Sequence, residues 1–68
     1  MKDEKLVLFG SKVRSLRKSK GISQERLAEL SETDRSYMGR IERGEKNITL
    51  TKIYQICNAL NIDPSDLF

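Results

Sequence analysis

Apolar side chains recur along the chain at the spacing of α-helices. In the first twenty residues they form one helical stripe, which consists of Leu6, Phe9, Val13 and Leu16. Gly21 is placed to end this first helix, and Ser23 to cap a second helix that begins at Gln24 and extends to about residue 31. No segment shows the alternation typical of a β-strand, so the pattern predicts an all-α protein.

A third helix is predicted over residues 35–43, between a cap at Asp34 and a stop at Gly44. Its buried positions are predicted to be Met38 and Ile41. Only a few residues join this helix to the second one, so the two helices cannot lie antiparallel and must cross at a steep angle. That geometry is the helix-turn-helix arrangement.

Two more short helices complete the predicted fold. Thr49 is placed to cap a fourth helix, whose predicted inward positions are Leu50, Ile53, Ile56, Cys57 and Leu60. Asp63 and Pro64 form a strong start signal for a fifth helix. A chain of 68 residues is too short for two cores, so residues 1–68 are predicted to form one domain of five short helices.

Composition excludes several classes of function. The chain has no histidine and a single cysteine, so we expect no metal site and predict that Cys57 is a core residue. It shows no paired nucleophile and base and no phosphate-cradling glycine loop, so we predict a protein that is not an enzyme and has no cofactor or small-molecule ligand. The longest apolar run, residues 6–9, is far shorter than the roughly 20 residues of a membrane span, which predicts a cytoplasmic protein.

Positive charge is concentrated in two separate segments. Residues 1–20 carry seven positive and two negative charges, and residues 35–52 carry five and two. If Met38 and Ile41 face inward, the opposite side of the third helix presents Arg35, Ser36, Gly39, Arg40 and Arg43. Such a face suits the phosphate-lined groove of a nucleic acid.

The first residues of this helix are the best candidates for reading DNA. Arginine can grip guanine through two hydrogen bonds, and the amino-terminal residues of a recognition helix reach base edges in the major groove. Arg35 and Ser36 occupy those positions. The pattern therefore predicts a helix that recognises double-stranded DNA.

Three stretches together resemble a known family: residues 24–28 (QERLA), 34–38 (DRSYM) and 41–44 (IERG). They are similar to the lambda-repressor-like, phage-repressor type of helix-turn-helix protein, and especially to the small controller proteins of restriction–modification systems. The resemblance covers nearly the whole chain. It implies a homodimer that binds a palindromic operator and regulates transcription, with RNA polymerase as a further candidate partner.

The resemblance also implies roles for individual residues. Base reading would fall to Arg35, Ser36 and Arg40, of which Arg40 could instead grip the backbone. Contacts to phosphates or the DNA backbone would come from Gln24, Tyr37, Arg43, Lys46 and Asn47. Arg17 and Glu42 would form a structural ion pair between the first and third helices. The apolar carboxyl terminus suggests a dimer surface made of Leu60, Ile62, Leu67 and Phe68, and the alternative is that it folds back onto its own core.

Two positions depart from the family pattern. Glu32 occupies a turn position that requires a positive φ and is commonly glycine or asparagine, at a cost on the order of 1 kcal/mol. Arg26 stands where a full capping box has glutamate. The alternative function is an antitoxin or adaptor module that uses the same scaffold to bind another protein.

Overall fold

The computed structural model describes residues 3–68, so the first two residues of the predicted domain lie outside it. The described chain forms α1 (Glu4–Ser19), α2 (Gln24–Leu30), α3 (Arg35–Glu42), α4 (Leu50–Leu60) and a short 3-10 helix (Pro64–Leu67). None of these helices is long and apolar enough to cross a membrane. Within residues 3–68 there is no β-strand, so the described chain is all-helical.

The fifth predicted helix is present, but it is not an α-helix. It is a single 3-10 turn, in which the backbone amide of Asp66 donates to the carbonyl of Asp63 three residues earlier. The Asp63 carboxylate accepts a bond from the Ser65 amide, which lowers the pKa of Asp63. The Asp66 carboxylate accepts one from the Asp63 amide. These reciprocal bonds close the turn within four residues.

Side-chain caps mark where α2 and α4 begin. Ser23 and Thr49 each accept a hydrogen bond from the backbone amide three residues later, at 3.0 and 3.1 Å, which confirms both predicted caps. Asp34 occupies the cap position of α3, but its carboxylate makes no bond to a helix amide. It accepts instead from the hydroxyl of Ser36 at 3.1 Å. α3 therefore begins at the predicted residue without the predicted capping bond.

The turn between α2 and α3 is held from two sides. Glu32 has a φ of 54°, the positive value expected at this position. The amide of Thr33 donates to the carbonyl of Ala28 at 2.8 Å, which closes the end of α2. From α4, the ammonium of Lys52 donates to the Thr33 hydroxyl at 2.9 Å and, over 3.4 to 3.5 Å, to the carbonyls of Ser31 and Glu32. Lys52 thus supports the turn that sets the direction of α3.

Replacing Glu32 by glycine is expected to raise the free energy of unfolding by about 0.5 kcal/mol. The left-handed backbone costs a non-glycine residue roughly 1–2 kcal/mol, and the greater freedom of glycine in the unfolded chain offsets about 0.4–1 kcal/mol of the relief. Urea denaturation followed by circular dichroism measures the change. Glu32→Ala is the matched control, because it removes the same carboxylate and keeps the strain. An equal gain in both variants would show that the backbone angle is not the cause.

One apolar core joins all the elements. Its buried members are Phe9, Val13, Leu27, Ala28, Met38, Ile41, Ile56, Cys57, Leu60 and Leu67. Burial raises the pKa of the Cys57 thiol, and the nearby carboxylates of Asp63 and Asp66 raise it further, so Cys57 is an unreactive core residue. The prediction that Leu50 faces inward is wrong, because this first residue of α4 is 67% exposed.

α1 and α3 approach each other backbone to backbone. A Cβ atom at Gly10 would overlap the carbonyl oxygen of Ile41 and lie 2.6 Å from that of Glu42. At the other side of the contact, a Cβ at Gly44 would lie 2.6 Å from the Cα of Val7. Both glycines therefore allow α1 to lie directly against the carboxyl end of α3.

Candidate nucleic-acid interface

The outward side of α3 is open to solvent. Met38 and Ile41 are buried, at 0% and 1% exposure, whereas Arg35, Ser36 and Arg40 are exposed. A shallow depression of about 550 Å³ runs along this side and is lined by Gln24, Asp34, Arg35, Ser36, Gly39, Arg40 and Arg43. The three residues predicted to read bases therefore lie together on one uncovered surface.

Two of the surface arginines are paired with carboxylates. Arg35 Nη1 lies 3.0 Å from Glu25 Oε2. Arg43 donates to both carboxylate oxygens of Glu45, at 3.1 and 3.3 Å. These four side chains are substantially exposed, so the pairs add little stability and can be replaced by other anions such as phosphate.

Two polar side chains lie close to Gly39 on the surface of α3. A Cβ atom at Gly39 would lie 3.2 Å from Arg43 Nη1 and 3.5 Å from Gln24 Oε1. Both atoms are the ends of flexible side chains and could shift, so these contacts do not by themselves require the glycine, which costs about 1 kcal/mol relative to alanine in the middle of a helix. They also place Gln24 and Arg43, both predicted to bind phosphate, side by side.

An ion pair beneath the surface joins α1 to α3. Arg17 Nε donates to Glu42 Oε2 at 2.8 Å and Arg17 Nη2 donates to Glu42 Oε1 at 3.0 Å. The two side chains are 9% and 1% exposed, so the predicted structural pair is present and almost fully buried. Arg17 also donates to the carbonyl of Ile22, and Gln24 donates to Glu42 Oε1 at 3.1 Å. The network ties the start of α2 and the end of α3 to α1.

The remaining predicted DNA contacts lie at α3 and the loop after it. Tyr37 is partly buried against the core. The ammonium of Lys46 lies 6.0 Å from the centre of the Tyr37 ring, and Asn47 is exposed. Lys46 and Asn47 belong to the segment between α3 and α4.

The four residues predicted to form the dimer surface differ in how much of their side chains is exposed. Leu60 and Leu67 are 1% and 3% exposed, because they pack into the chain's own core and leave no side-chain area for a partner. Ile62 is partly buried and packs against that core. Phe68 is 75% exposed, and its ring stacks on Phe9 with the ring centres 5.7 Å apart.

Apart from Phe68, four large apolar side chains of the described residues are exposed, and the sequence analysis placed none of them on the surface: Leu8, Leu30, Leu50 and Tyr54. Leu8 lines an apolar groove with Phe9, Phe68 and the neighbouring lysines 5 and 12. Leu50 and Tyr54 stand one helical turn apart on the outside of α4. Leu8 lies off the apolar stripe of α1, so its exposure could have been inferred from periodicity.

Comparison with known proteins identifies the family. Residues 13–67 match the helix-turn-helix family model. The control protein C.BamHI of Bacillus amyloliquefaciens is 47% identical over 62 residues, which cover 90% of this chain and 76% of that protein.

Two solved structures resemble this one. The restriction-modification controller protein C.AhdI of Aeromonas hydrophila superposes with a TM-score of 0.91 at 52% identity, covering 93% of this chain and 96% of the other. C.Esp1396I bound to a 25 base pair operator site superposes with a TM-score of 0.84 at 31% identity, covering 91% and 82%. The named relatives are controller proteins and not enzymes, in agreement with the prediction from composition. The chain therefore belongs to the helix-turn-helix family of restriction–modification controller proteins.

Proposed function

We propose that this protein is a transcriptional regulator of a restriction–modification system that binds a palindromic operator as a homodimer. The observation that carries the proposal is the open outward side of α3, with Arg35, Ser36 and Arg40 exposed on it. The similarity to a controller protein described as bound to an operator site supports the same role here. Residues 1–68 would form one DNA-binding domain working in the cytoplasm, and RNA polymerase would be a further partner at the regulated promoter.

The side chains of the interface divide into two roles. Arg35 and Ser36, in the first turn of α3, would reach base edges in the major groove, and Arg40 would read a base or hold the backbone. The phosphate contacts would come from Gln24, Tyr37, Arg43, Lys46 and Asn47. The exposed pairs of Arg35 with Glu25 and of Arg43 with Glu45 would be exchanged for DNA on binding.

The homodimer would use exposed apolar surface. Of the four predicted contact residues, Phe68 is exposed and Ile62 is partly exposed, so both have side-chain surface that a partner can bury. Leu50 and Tyr54 on α4 offer a second patch of the same kind. Two copies of α3 held about 34 Å apart would meet successive major grooves on one side of a duplex.

Arg35→Ala is expected to weaken binding to the best-binding duplex by about 1–3 kcal/mol and binding to random duplex much less, because the lost contact is to a base. Fluorescence anisotropy at a fixed salt concentration measures both affinities. Arg43→Ala is the matched control, since it removes a phosphate contact and is expected to weaken both duplexes alike.

An unchanged ratio of specific to random binding in Arg35→Ala would contradict its base-reading role. Salt provides an independent check. If each monomer neutralises three to five phosphates, the logarithm of affinity should fall with the logarithm of salt concentration at a slope of roughly −5 to −9. Affinity for a protein partner that hardly depends on salt, with no retention of DNA, would instead favour the antitoxin or adaptor alternative.

A further inference from the structure

We propose that Arg14 on α1 forms a phosphate-binding site that extends the DNA interface beyond α3, an inference that rests on the proposed function. The site is a notch of about 370 Å³ lined by Arg14, Arg17, Gln24, Glu42 and Arg43. Gln24 and Arg43 also line the depression along α3. The notch is therefore continuous with the surface proposed to read DNA.

The charged side chains at the base of the notch neutralise each other. Arg17 and Glu42 share two hydrogen bonds, so their charges cancel within a buried pair. The amide of Gln24 donates to the same carboxylate at 3.1 Å. The lining residues thus include no uncompensated carboxylate to repel an anion, and the uncompensated positive charge of the notch comes from Arg14.

Arg14 is the free cation of the notch. It is exposed, and it forms no ion pair or hydrogen bond with any other residue in the range 3–68. All five of its guanidinium donors are therefore available, in the planar fork that matches a phosphate group. Arg43 lines the same notch, and within residues 3–68 its side chain is engaged by its exposed pair with Glu45. A phosphate can take the place of that carboxylate.

The occupant that fits is a backbone phosphate of the duplex seated on α3. A duplex that contacts the outward side of α3 must also meet Gln24 and Arg43 at its edge, and Arg14 lies across the adjoining notch. Arg14 lies on α1 and not on the helix that would enter the groove. Its contact would therefore add affinity without reading sequence.

Arg14→Gln tests the site, with Lys12→Gln as the matched control. Each substitution removes one positive charge from α1, and Lys12 lines the separate apolar groove beside Phe68. Binding to the best-binding duplex and to random duplex is measured by anisotropy across a salt series. Arg14→Gln is expected to weaken both duplexes by the same factor, about tenfold, and to make the salt slope less steep by about 2, one phosphate for each monomer of a dimer. Lys12→Gln is expected to leave the slope unchanged.

Three results would overturn the site: an unchanged affinity in Arg14→Gln, a loss confined to the best-binding duplex, or an equal change of slope in Lys12→Gln. An equal change of slope in Lys12→Gln would mean that the long-range electrostatic field of the whole protein, and not a local contact, attracts the duplex. Thermal melting of each variant by circular dichroism shows whether the fold is kept, which is expected because both side chains are exposed. Failure of the unsubstituted protein to bind any duplex would overturn the proposed function itself, and the site with it.

Discussion

Arg17→Met is expected to lower the free energy of unfolding by about 3–5 kcal/mol, because it leaves the Glu42 carboxylate buried without its counter-charge. The Glu42 side chain is 1% exposed and accepts two of its hydrogen bonds from Arg17. The carbonyl of Ile22 would also lose a donor. A chain of 68 residues has a total stability of roughly 3–10 kcal/mol, so the substitution should remove about a third of it or more. Urea denaturation followed by far-ultraviolet circular dichroism measures the loss.

Arg26→Met is the control for this substitution. Arg26 pairs with Glu29 on the surface of α2, where the two side chains are 58% and 69% exposed. Solvent screens such a pair, so the same change of residue type is expected to cost less than about 0.5 kcal/mol. A loss in Arg17→Met no larger than in Arg26→Met would contradict a stabilising link between α1 and α3.

Gly10→Ala is expected to cost about 3 kcal/mol, although alanine normally stabilises the interior of a helix by roughly 0.5–1 kcal/mol relative to glycine. The added methyl group would collide with the backbone carbonyls of Ile41 and Glu42, which cannot move without shifting the end of α3. The variant should therefore melt at a lower temperature, by about 12 °C or more for a domain of this size. Its affinity for DNA should also fall, because α3 would be displaced from α1.

Ser11→Ala leaves an alanine at the next, exposed position of α1 by removing a hydroxyl group, with no new Cβ atom. It is expected to change the free energy of unfolding by no more than about 0.5 kcal/mol. If Gly10→Ala proved as stable as Ser11→Ala, α1 and α3 could not be in backbone contact at residue 10.

The helices could be predicted because their signals are local. Ser23 and Thr49 form caps with amides three residues away, and Gly21 and Gly44 both have the positive φ expected of helix stops. The need for glycine at residue 10 could not be predicted, since it arises from the pairing of two helices distant in sequence. The same limit explains the error at Leu50, whose apolar character indicated burial but whose position on α4 faces solvent.

The outward-facing side chains of the candidate interface could be predicted for α3, but fewer of them could be predicted for the other elements. Once Met38 and Ile41 face the core, helix geometry alone decides which side chains face outward. The role proposed for Arg14 and the contacts of Lys52 depend on neighbours from other helices. Lys52 supports a turn about twenty positions away, and Arg14 adjoins Arg43 only in the folded chain. Sequence periodicity carries no information about such contacts.

Selection of bound sequences from a pool of random duplexes tests the central claim most directly. If α3 lies in the major groove and two copies act together, the recovered duplexes should share a palindrome whose half-sites are centred about one helical turn, roughly 34 Å, apart. The same selection with Arg35→Ala should lose preference at the base pair that Arg35 contacts, while the rest of the palindrome persists. Recovery of no preferred sequence, or of a single site without a symmetric partner, would contradict recognition by a dimer through the outward side of α3.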